Sequence, residues 1–206
     1  MSRDRSDLAT DGRPLGKRGA ETRRRLIDAT GKLLESNGLR DLRVVDIARE
    51  VGTSPATFYQ YFRDVQEAVL ALAEAVGEQM APLGEIIERP WTDGDGLASA
   101  RKLVDGFIAY WDQHRAVLRT RNLAAQEGDR RFRDVRNASL RPLTEGLRDK
   151  LAASHREGVT PYAAAAALVA MMERMAAFHA DLEPFGVTRA ELVETTARII
   201  SITVAD

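Results

Sequence analysis

The segment 44–62 constrains the fold more than any other part of the sequence. Its first half carries apolar residues at the spacing of one helix face, namely Val44, Ile47, Ala48 and Val51. Gly52 follows, and Ser54-Pro55 is typical of a new helix that begins with a serine N-cap and a proline in its first turn. Two short helices joined by a turn of about three residues predict a helix-turn-helix, a motif whose second helix enters the major groove of DNA.

The second helix of this motif is predicted to have a buried face and a DNA-contacting face. Phe58 and Phe62 lie four residues apart and are expected to pack against Ile47 and Val51. The opposite side carries the residues expected to contact DNA: Thr53, Ser54, Pro55, Ala56, Thr57, Tyr59, Gln60 and Tyr61. Glutamine pairs with adenine, small side chains contact thymine methyl groups, and hydroxyls reach phosphates. The alternative is an ordinary helical hairpin, which the outward tyrosines disfavour.

The charge distribution separates the chain into two parts. The net charge of −1, from 30 Lys and Arg against 31 Asp and Glu, disfavours a nucleic-acid partner when taken alone. However, residues 1–63 carry 13 basic and 9 acidic side chains, whereas residues 64–206 carry 17 basic and 22 acidic side chains. The first part is therefore net basic and the second net acidic. The basic cluster at 13–25 includes Arg23 and Arg24, which we expect to contact DNA phosphates. A solvated leader is the alternative.

Helical patterns continue along the rest of the chain. Helices are predicted at about 21–37, 64–80, 97–114, 116–127, 129–156, 160–181 and 188–204. Pro82 is expected to kink or end the 64–80 helix, and Pro142 is expected to bend the 129–156 helix. Thr188 and Glu191 fit a capping box. Because no strand pattern occurs, the predicted fold is all-α with about nine helices.

Short elements around the helix-turn-helix form a more specific pattern. They are Gly38, Asp46-Ile47-Ala48, Thr57-Phe58-Tyr59-Gln60-Tyr61-Phe62 and Glu67-Ala68-Val69-Leu70. In this order and spacing they resemble the TetR/AcrR family of transcriptional repressors, over about 50 residues. The resemblance implies a flexible basic arm at 1–19, a helix-turn-helix domain at 20–64, and a larger helical ligand-binding and dimerisation domain at 65–206.

The resemblance also implies a mode of action. Family members act as homodimers whose two recognition helices enter successive major grooves of a near-palindromic operator, and an effector in each C-terminal domain releases the DNA. Two positions depart from the family pattern: Arg43 stands where many members have threonine, and Val65 where many have a phosphate-contacting lysine. We expect Arg43 and Arg63, with Arg40 and the arm, to supply phosphate contacts instead.

The C-terminal part carries aromatic and methionine residues of the kind found in adaptable apolar pockets. Together with polar residues able to orient a ligand, the candidates are Phe107, Trp111, Arg121, Asn122, Met171, Met172, Met175, Phe178 and His179. The alternative at each position is an ordinary core, surface or interface residue. The composition favours a large, mostly apolar effector such as a lipid, an acyl thioester or a drug-like molecule.

The last two predicted helices are apolar on more than one side, so each must pack against more than one neighbour. The family resemblance implies that two copies of this pair form the homodimer interface as a four-helix arrangement. A monomeric bundle with these helices at its centre is the alternative.

Several classes of protein are disfavoured by what the sequence lacks. There is no cysteine, no apolar run long enough to span a membrane, and no signal-peptide core at the N-terminus. His114, His155 and His179 are too scattered for a metal motif, and Asp93-Gly94-Asp95 lacks calcium-loop spacing. We therefore predict a soluble, cytoplasmic regulator with no metal, cofactor or enzyme activity. The alternative of the same architecture is a DNA-binding activator or a protein-partner adaptor without an effector.

Overall fold

The computed structural model of the protein describes residues 8–91, 96–154 and 158–204. Its α-helices are α1 (Lys17–Asn37), α2 (Val44–Val51), α3 (Pro55–Tyr59), α4 (Val65–Glu78), α5 (Ala81–Glu88), α6 (Gly96–Gln113), α7 (Arg115–Gln126), α8 (Arg130–Ala153), α9 (Pro161–Phe178) and α10 (Arg189–Val204). Short 3-10 segments lie at Leu39–Asp41 and His179–Phe185. Apart from one β-bridge between Leu8 and Pro14, the regular structure of the described residues is helical, which confirms the predicted all-α fold.

Some helix boundaries differ from the predicted ones. α1 begins at Lys17, inside the predicted arm. The helix predicted at 64–80 is α4, which ends at Glu78, before Pro82 as expected, and α5 is a further helix that the sequence did not predict. Pro82 lies in the first turn of α5, where its missing N–H costs nothing, whereas in a continuous helix it would break a backbone hydrogen bond. The helix predicted at 160–181 ends at Phe178 and continues as a 3-10 segment.

Other predictions are confirmed or fall outside the described residues. Thr188 and Glu191 form the predicted capping box: Thr188 N–H donates to Glu191 Oε2 over 2.9 Å, and Glu191 N–H donates to Thr188 Oγ1 over 3.2 Å. Pro142 lies inside α8, and the bend expected there stays a prediction. Residues 1–7 of the arm, the carboxylates of Asp93 and Asp95, and His155 lie outside the described residues.

The chain divides into two compact units. The first comprises Met1–Gly77 and Ala116–Arg136, and the second comprises Glu78–Arg115 and Asn137–Asp206. By this division α4 and most of α7 group with α1–α3. The predicted domain boundary after residue 64 remains a prediction.

The first unit has a compact apolar core beneath the helix-turn-helix. Leu26 of α1, Ile47 of α2 and Phe58 of α3 are all fully buried, and so are Phe62 and Val69. Burial of each such side chain contributes about 1.5–3 kcal/mol to folding. The three helices are therefore held in a fixed arrangement by their shared core.

The second unit is built around α6, which packs against α5, α9 and α10. α6 buries Phe107 and Trp111 among its aliphatic residues. Gly146 of α8 allows a close approach, since a Cβ atom there would lie 2.7 Å from Ile87 Cγ2. In the part of the chain that the structure describes, no helix is both long and apolar enough to cross a membrane.

Two glycines of the first unit are expected to respond oppositely to alanine. Gly52 has φ 72°, so Gly52→Ala should lower the free energy of unfolding by about 1 kcal/mol, although a Cβ there meets no atom within 4 Å. Gly31 lies inside α1, where a Cβ would be 3.5 Å from Leu72 Cδ1. Gly31→Ala should therefore raise the free energy of unfolding by about 0.5–1 kcal/mol. Urea unfolding of both variants checks this, and effects of equal sign contradict it.

Candidate DNA-binding surface

The turn between α2 and α3 is closed by local hydrogen bonds. Gly52 adopts the left-handed conformation, its N–H donates to Arg49 O over 3.0 Å, and Thr53 N–H donates to Ala48 O over 2.9 Å. Ser54 is the N-cap of α3, and its Oγ accepts the Thr57 N–H over 3.2 Å. The predicted cap and first-turn proline are confirmed, and they fix the direction in which α3 leaves the turn.

The two faces of α3 are separated as the sequence predicts. Phe58 is 0% exposed and Phe62 1%, with their ring centroids 5.5 Å apart, whereas Tyr59 is 52% exposed. Of the other predicted contact residues, Ser54, Pro55, Ala56 and Gln60 are exposed, and Thr53, Thr57 and Tyr61 are half-buried. The structure thus brings the predicted set together on and beside one short helix, which we call the recognition face. Their contacts with DNA remain a prediction.

The arginines of α1 have three different environments. Arg24 is exposed and donates from NH2 to Glu21 over 2.7 Å. Arg23 is half-buried, and its guanidinium carbon lies 5.1 Å from the Phe62 ring centroid, so this predicted phosphate contact packs on the core of the helix-turn-helix. Arg25 belongs to the predicted basic cluster but was not predicted to contact DNA, and its NH2 donates to Val51 O over 2.8 Å at the end of α2.

Two further predicted phosphate contacts lie at helix starts. Arg43 is exposed at the N-cap position of α2. Arg63 precedes α4, where its NH2 lies 3.1 Å from Glu67 Oε1 and its backbone N–H donates to Glu67 Oε2 over 2.6 Å. Burial raises the pKa of the Glu67 carboxyl, but the hydrogen bonds from Arg63 outweigh burial, so the pKa lies below its ordinary value of 4.5. Glu67 therefore holds Arg63 at the start of α4.

The Glu67–Arg63 interaction predicts a pH dependence of stability. Because the folded state lowers the pKa of Glu67, its ionised form stabilises the fold at neutral pH, and this contribution is lost as the pH falls through the lowered pKa. Glu67→Gln should lower the free energy of unfolding by about 1 kcal/mol at pH 7 and by less at pH 3. Urea titrations at both pH values, with the exposed Glu35→Gln as control, check this. A pH-independent difference contradicts it.

The candidate effector residues do not all share one environment. Phe107 and Trp111 of α6 and Met172 of α9 are buried in the second unit, and Met171 and Met175 are half-buried. Arg121 is 1% exposed, and its Nε donates to Asn122 Oδ1 over 3.0 Å; both belong to the first unit.

Two of the candidates lie at the end of α9. Phe178 is 42% exposed and the guanidinium carbon of Arg174 lies 3.8 Å from its ring centroid, so the structure places this predicted pocket residue at the surface. His179 Nε2 lies 2.8 Å from Asp112 Oδ1 and 3.1 Å from Arg115 NH2. Burial raises the pKa of Asp112, but hydrogen bonds to His179 and Arg115 outweigh it and lower the pKa. These hydrogen bonds join Asp112 of α6, Arg115 at the first position of α7 and His179 of the 3-10 segment, all within the second unit.

A helix-turn-helix with a rigidly held, exposed second helix beside basic residues of α1 defines a DNA-binding protein of the helix-turn-helix class. Residues 26–72 match the family model described as bacterial regulatory proteins, tetR family, and residues 83–206 match that of the tetracyclin repressor-like C-terminal domain. The chain belongs to the TetR family and is a DNA-binding transcriptional regulator.

Individual proteins show the same relationship. An uncharacterised HTH-type transcriptional regulator of Haemophilus influenzae is 23% identical over 182 residues, which span 87% of this chain and 85% of the relative. A solved protein of unknown function from Rhodococcus sp. RHA1 is 22% identical, with a TM-score of 0.69 over 90% of this chain and 96% of that one. FadR from Bacillus subtilis, solved in complex with stearoyl-CoA, is 15% identical, with a TM-score of 0.67 over 88% of this chain and 97% of FadR. These two solved structures have the same fold as this chain.

Proposed function

We propose that the protein is a sequence-specific repressor that a largely apolar effector releases from its operator. The observation that carries the proposal is the recognition face of α3, which is held by fully buried Phe58 and presents Tyr59 and Gln60 to solvent. Gln60 is the group suited to adenine, and the tyrosine hydroxyls are suited to phosphates. Because operator DNA lies in the cytoplasm, we propose that the protein is located there. We also propose that it acts as a regulator without a catalytic role.

The proposed active form is a homodimer through α9 and α10. On α10, Ile199 is 43% exposed and Ile202 is 69% exposed in the single chain, and on α9 Tyr162 is 57% exposed. A second copy covering these side chains would remove apolar surface from water. Twofold symmetry then gives two copies of α3 that fit a near-palindromic operator with half-sites roughly 34–36 Å apart.

The proposed effector belongs to the long-chain apolar class, for example an acyl thioester. The buried Phe107, Trp111 and Met172 supply an apolar interior in the second unit, and a protein of the same fold, FadR from Bacillus subtilis, was solved with stearoyl-CoA. Effector binding would change the separation of the two copies of α3. Because base contacts need both half-sites in register, a small change in this distance is sufficient to release the operator.

Selection of bound duplexes from a random DNA library tests the DNA part of the proposal. The protein should enrich a near-palindromic motif whose half-sites lie one helical turn apart. Enrichment of no motif would contradict sequence-specific binding, and a motif without symmetry would contradict the dimer.

Native mass spectrometry of the purified protein, followed by titration of acyl thioesters into the protein–DNA complex, tests the effector. Release of DNA by a long-chain acyl thioester but not by free coenzyme A is the expected result. Retention of DNA with every apolar ligand favours the activator or adaptor alternative.

A further inference from the structure

Residues 8–16, predicted as part of a flexible arm, form a folded loop instead. Ala9 N–H donates to Arg13 O over 2.9 Å, and Gly12 N–H donates to Ala9 O over 2.9 Å. Gly12 has φ 80°, a left-handed conformation that suits glycine and lets the loop reverse direction. The loop is therefore internally ordered before it meets any partner.

Thr10 attaches this loop to the recognition helix. Its backbone N–H donates to Gln60 O over 2.9 Å, and its Oγ1 lies 3.0 Å from Tyr59 O and 3.1 Å from Gln60 O. These two carbonyls end α3 and have no partner within the helix, so Thr10 satisfies groups that a helix C-terminus otherwise leaves to water. One residue thus binds the loop to the two residues that are expected to contact DNA.

The loop lies on the same side of the first unit as the recognition face. Asp11 and Arg13 of the loop line the same open cleft, of about 470 Å³, as Ala56, Tyr59 and Gln60 of the recognition face. DNA that contacts the recognition face would therefore pass beside the loop.

Arg13 is the cationic group of the loop, and it is fixed in position. Its side chain is 83% exposed, and its Nε donates to Asp11 Oδ2 over 2.6 Å. Asp11 also accepts the Arg13 backbone N–H over 3.1 Å. A guanidinium group has five N–H donors, so donors remain for a phosphate oxygen while Asp11 holds the group.

We propose that the loop 8–16 is an anchored part of the DNA-binding surface, in which Thr10 is a positioning residue that holds Arg13 as a phosphate contact beside α3. This inference rests on the proposed DNA-binding role of α3. Because the loop is already folded and attached, the contact requires little further ordering of the chain on binding. The same attachment supports the end of α3, where Tyr59 and Gln60 lie.

The proposal predicts coupled effects of Thr10 and Arg13 on DNA binding. Arg13→Gln should weaken binding about eightfold per protomer at 0.1 M salt, and the slope of log K against log salt should flatten by about 0.9 per protomer, because each protomer loses one phosphate contact. Thr10→Val keeps the side-chain shape and the backbone hydrogen bond but removes the hydroxyl. It should flatten the slope by a similar amount, and Arg13→Gln should then add little in the double variant.

Fluorescence anisotropy on the selected operator and on a shuffled duplex, at several salt concentrations, measures these effects. Thr22→Val is the matched control, since its hydroxyl donates to Arg18 O over 2.9 Å within α1. Arg148→Gln removes an ion-paired arginine of the second unit. Neither control should change the slope. Circular dichroism of each variant checks that the helices remain folded.

The outcomes separate this inference from the proposed function. If the wild type prefers the operator but Thr10→Val binds like Thr22→Val, the loop inference is overturned and the proposed function stands. Additive losses in the double variant would also overturn it, because they show that Thr10 does not position Arg13. If the wild type shows no preference, the proposed function fails, while the salt slopes on the shuffled duplex still test the loop.

Discussion

Phe58→Ala is expected to lower the free energy of unfolding by about 3–5 kcal/mol, the cost of emptying the site of a buried phenylalanine. Phe58 is 0% exposed, its ring centroid lies 5.5 Å from that of Phe62, and it joins α3 to the core formed with α1 and α2. A small domain has about 5–15 kcal/mol of stability in total, so this loss removes a large share of it. Specific DNA binding should be lost with the position of α3.

Urea unfolding followed by circular dichroism measures this effect, and Gln60→Ala is the control from the same short helix region. Gln60 is exposed, so its truncation should change the free energy of unfolding by less than about 1 kcal/mol. Equal losses of stability in the two variants would show that the buried and exposed faces of α3 have been assigned wrongly.

Gln60→Ala and Tyr59→Ala are each expected to weaken binding to the operator at least tenfold, and Gln60→Ala should leave binding to shuffled DNA nearly unchanged. A bidentate contact between glutamine and adenine contributes about 1–3 kcal/mol of discrimination. Neither side chain carries a charge, so removing either one changes no counterion release. The salt dependence should therefore stay the same in Gln60→Ala, in contrast to the arginine variants.

Gln126→Ala is the matched control, since it removes an exposed glutamine at the end of α7. Anisotropy titrations of the three variants on operator and shuffled duplexes give the ratio of specific to nonspecific affinity. An unchanged ratio in both Tyr59→Ala and Gln60→Ala would remove the recognition face from sequence discrimination.

The helix-turn-helix was predictable from the sequence because its signals are local. Three signals each act within a few residues: the cap at Ser54, the left-handed Gly52, and the four-residue spacing of Phe58 and Phe62. Together they fix the direction of the Tyr59 side chain. Its predicted buried and exposed faces are the ones the structure shows.

Contacts between distant residues were not predictable in the same way. Thr10 and Gln60 lie 50 positions apart, and nothing in the spacing of a polar N-terminal segment indicates that it attaches to the end of α3. Arg23 and Arg25 have the same charge as Arg24, yet the first packs on Phe62 and the second binds the end of α2. A basic cluster in a sequence reports charge, whereas the role of each member depends on what folds against it.

The effector candidates show a similar limit. A methionine and aromatic pattern on a helix indicates burial for Phe107, Trp111 and Met172, which are indeed buried. It predicts the same for Phe178, but this residue ends α9, where the chain turns into the 3-10 segment and the ring is left exposed under Arg174. Helical periodicity loses its meaning where the helix stops.

The central claim, that the recognition face selects a DNA sequence, is tested most directly by a mobility-shift titration with the duplex enriched from the random library. At about 100 mM salt the protein should bind this duplex at least 10³-fold more tightly than a shuffled duplex of the same length. Equal affinity for the two duplexes would contradict sequence-specific recognition by α3.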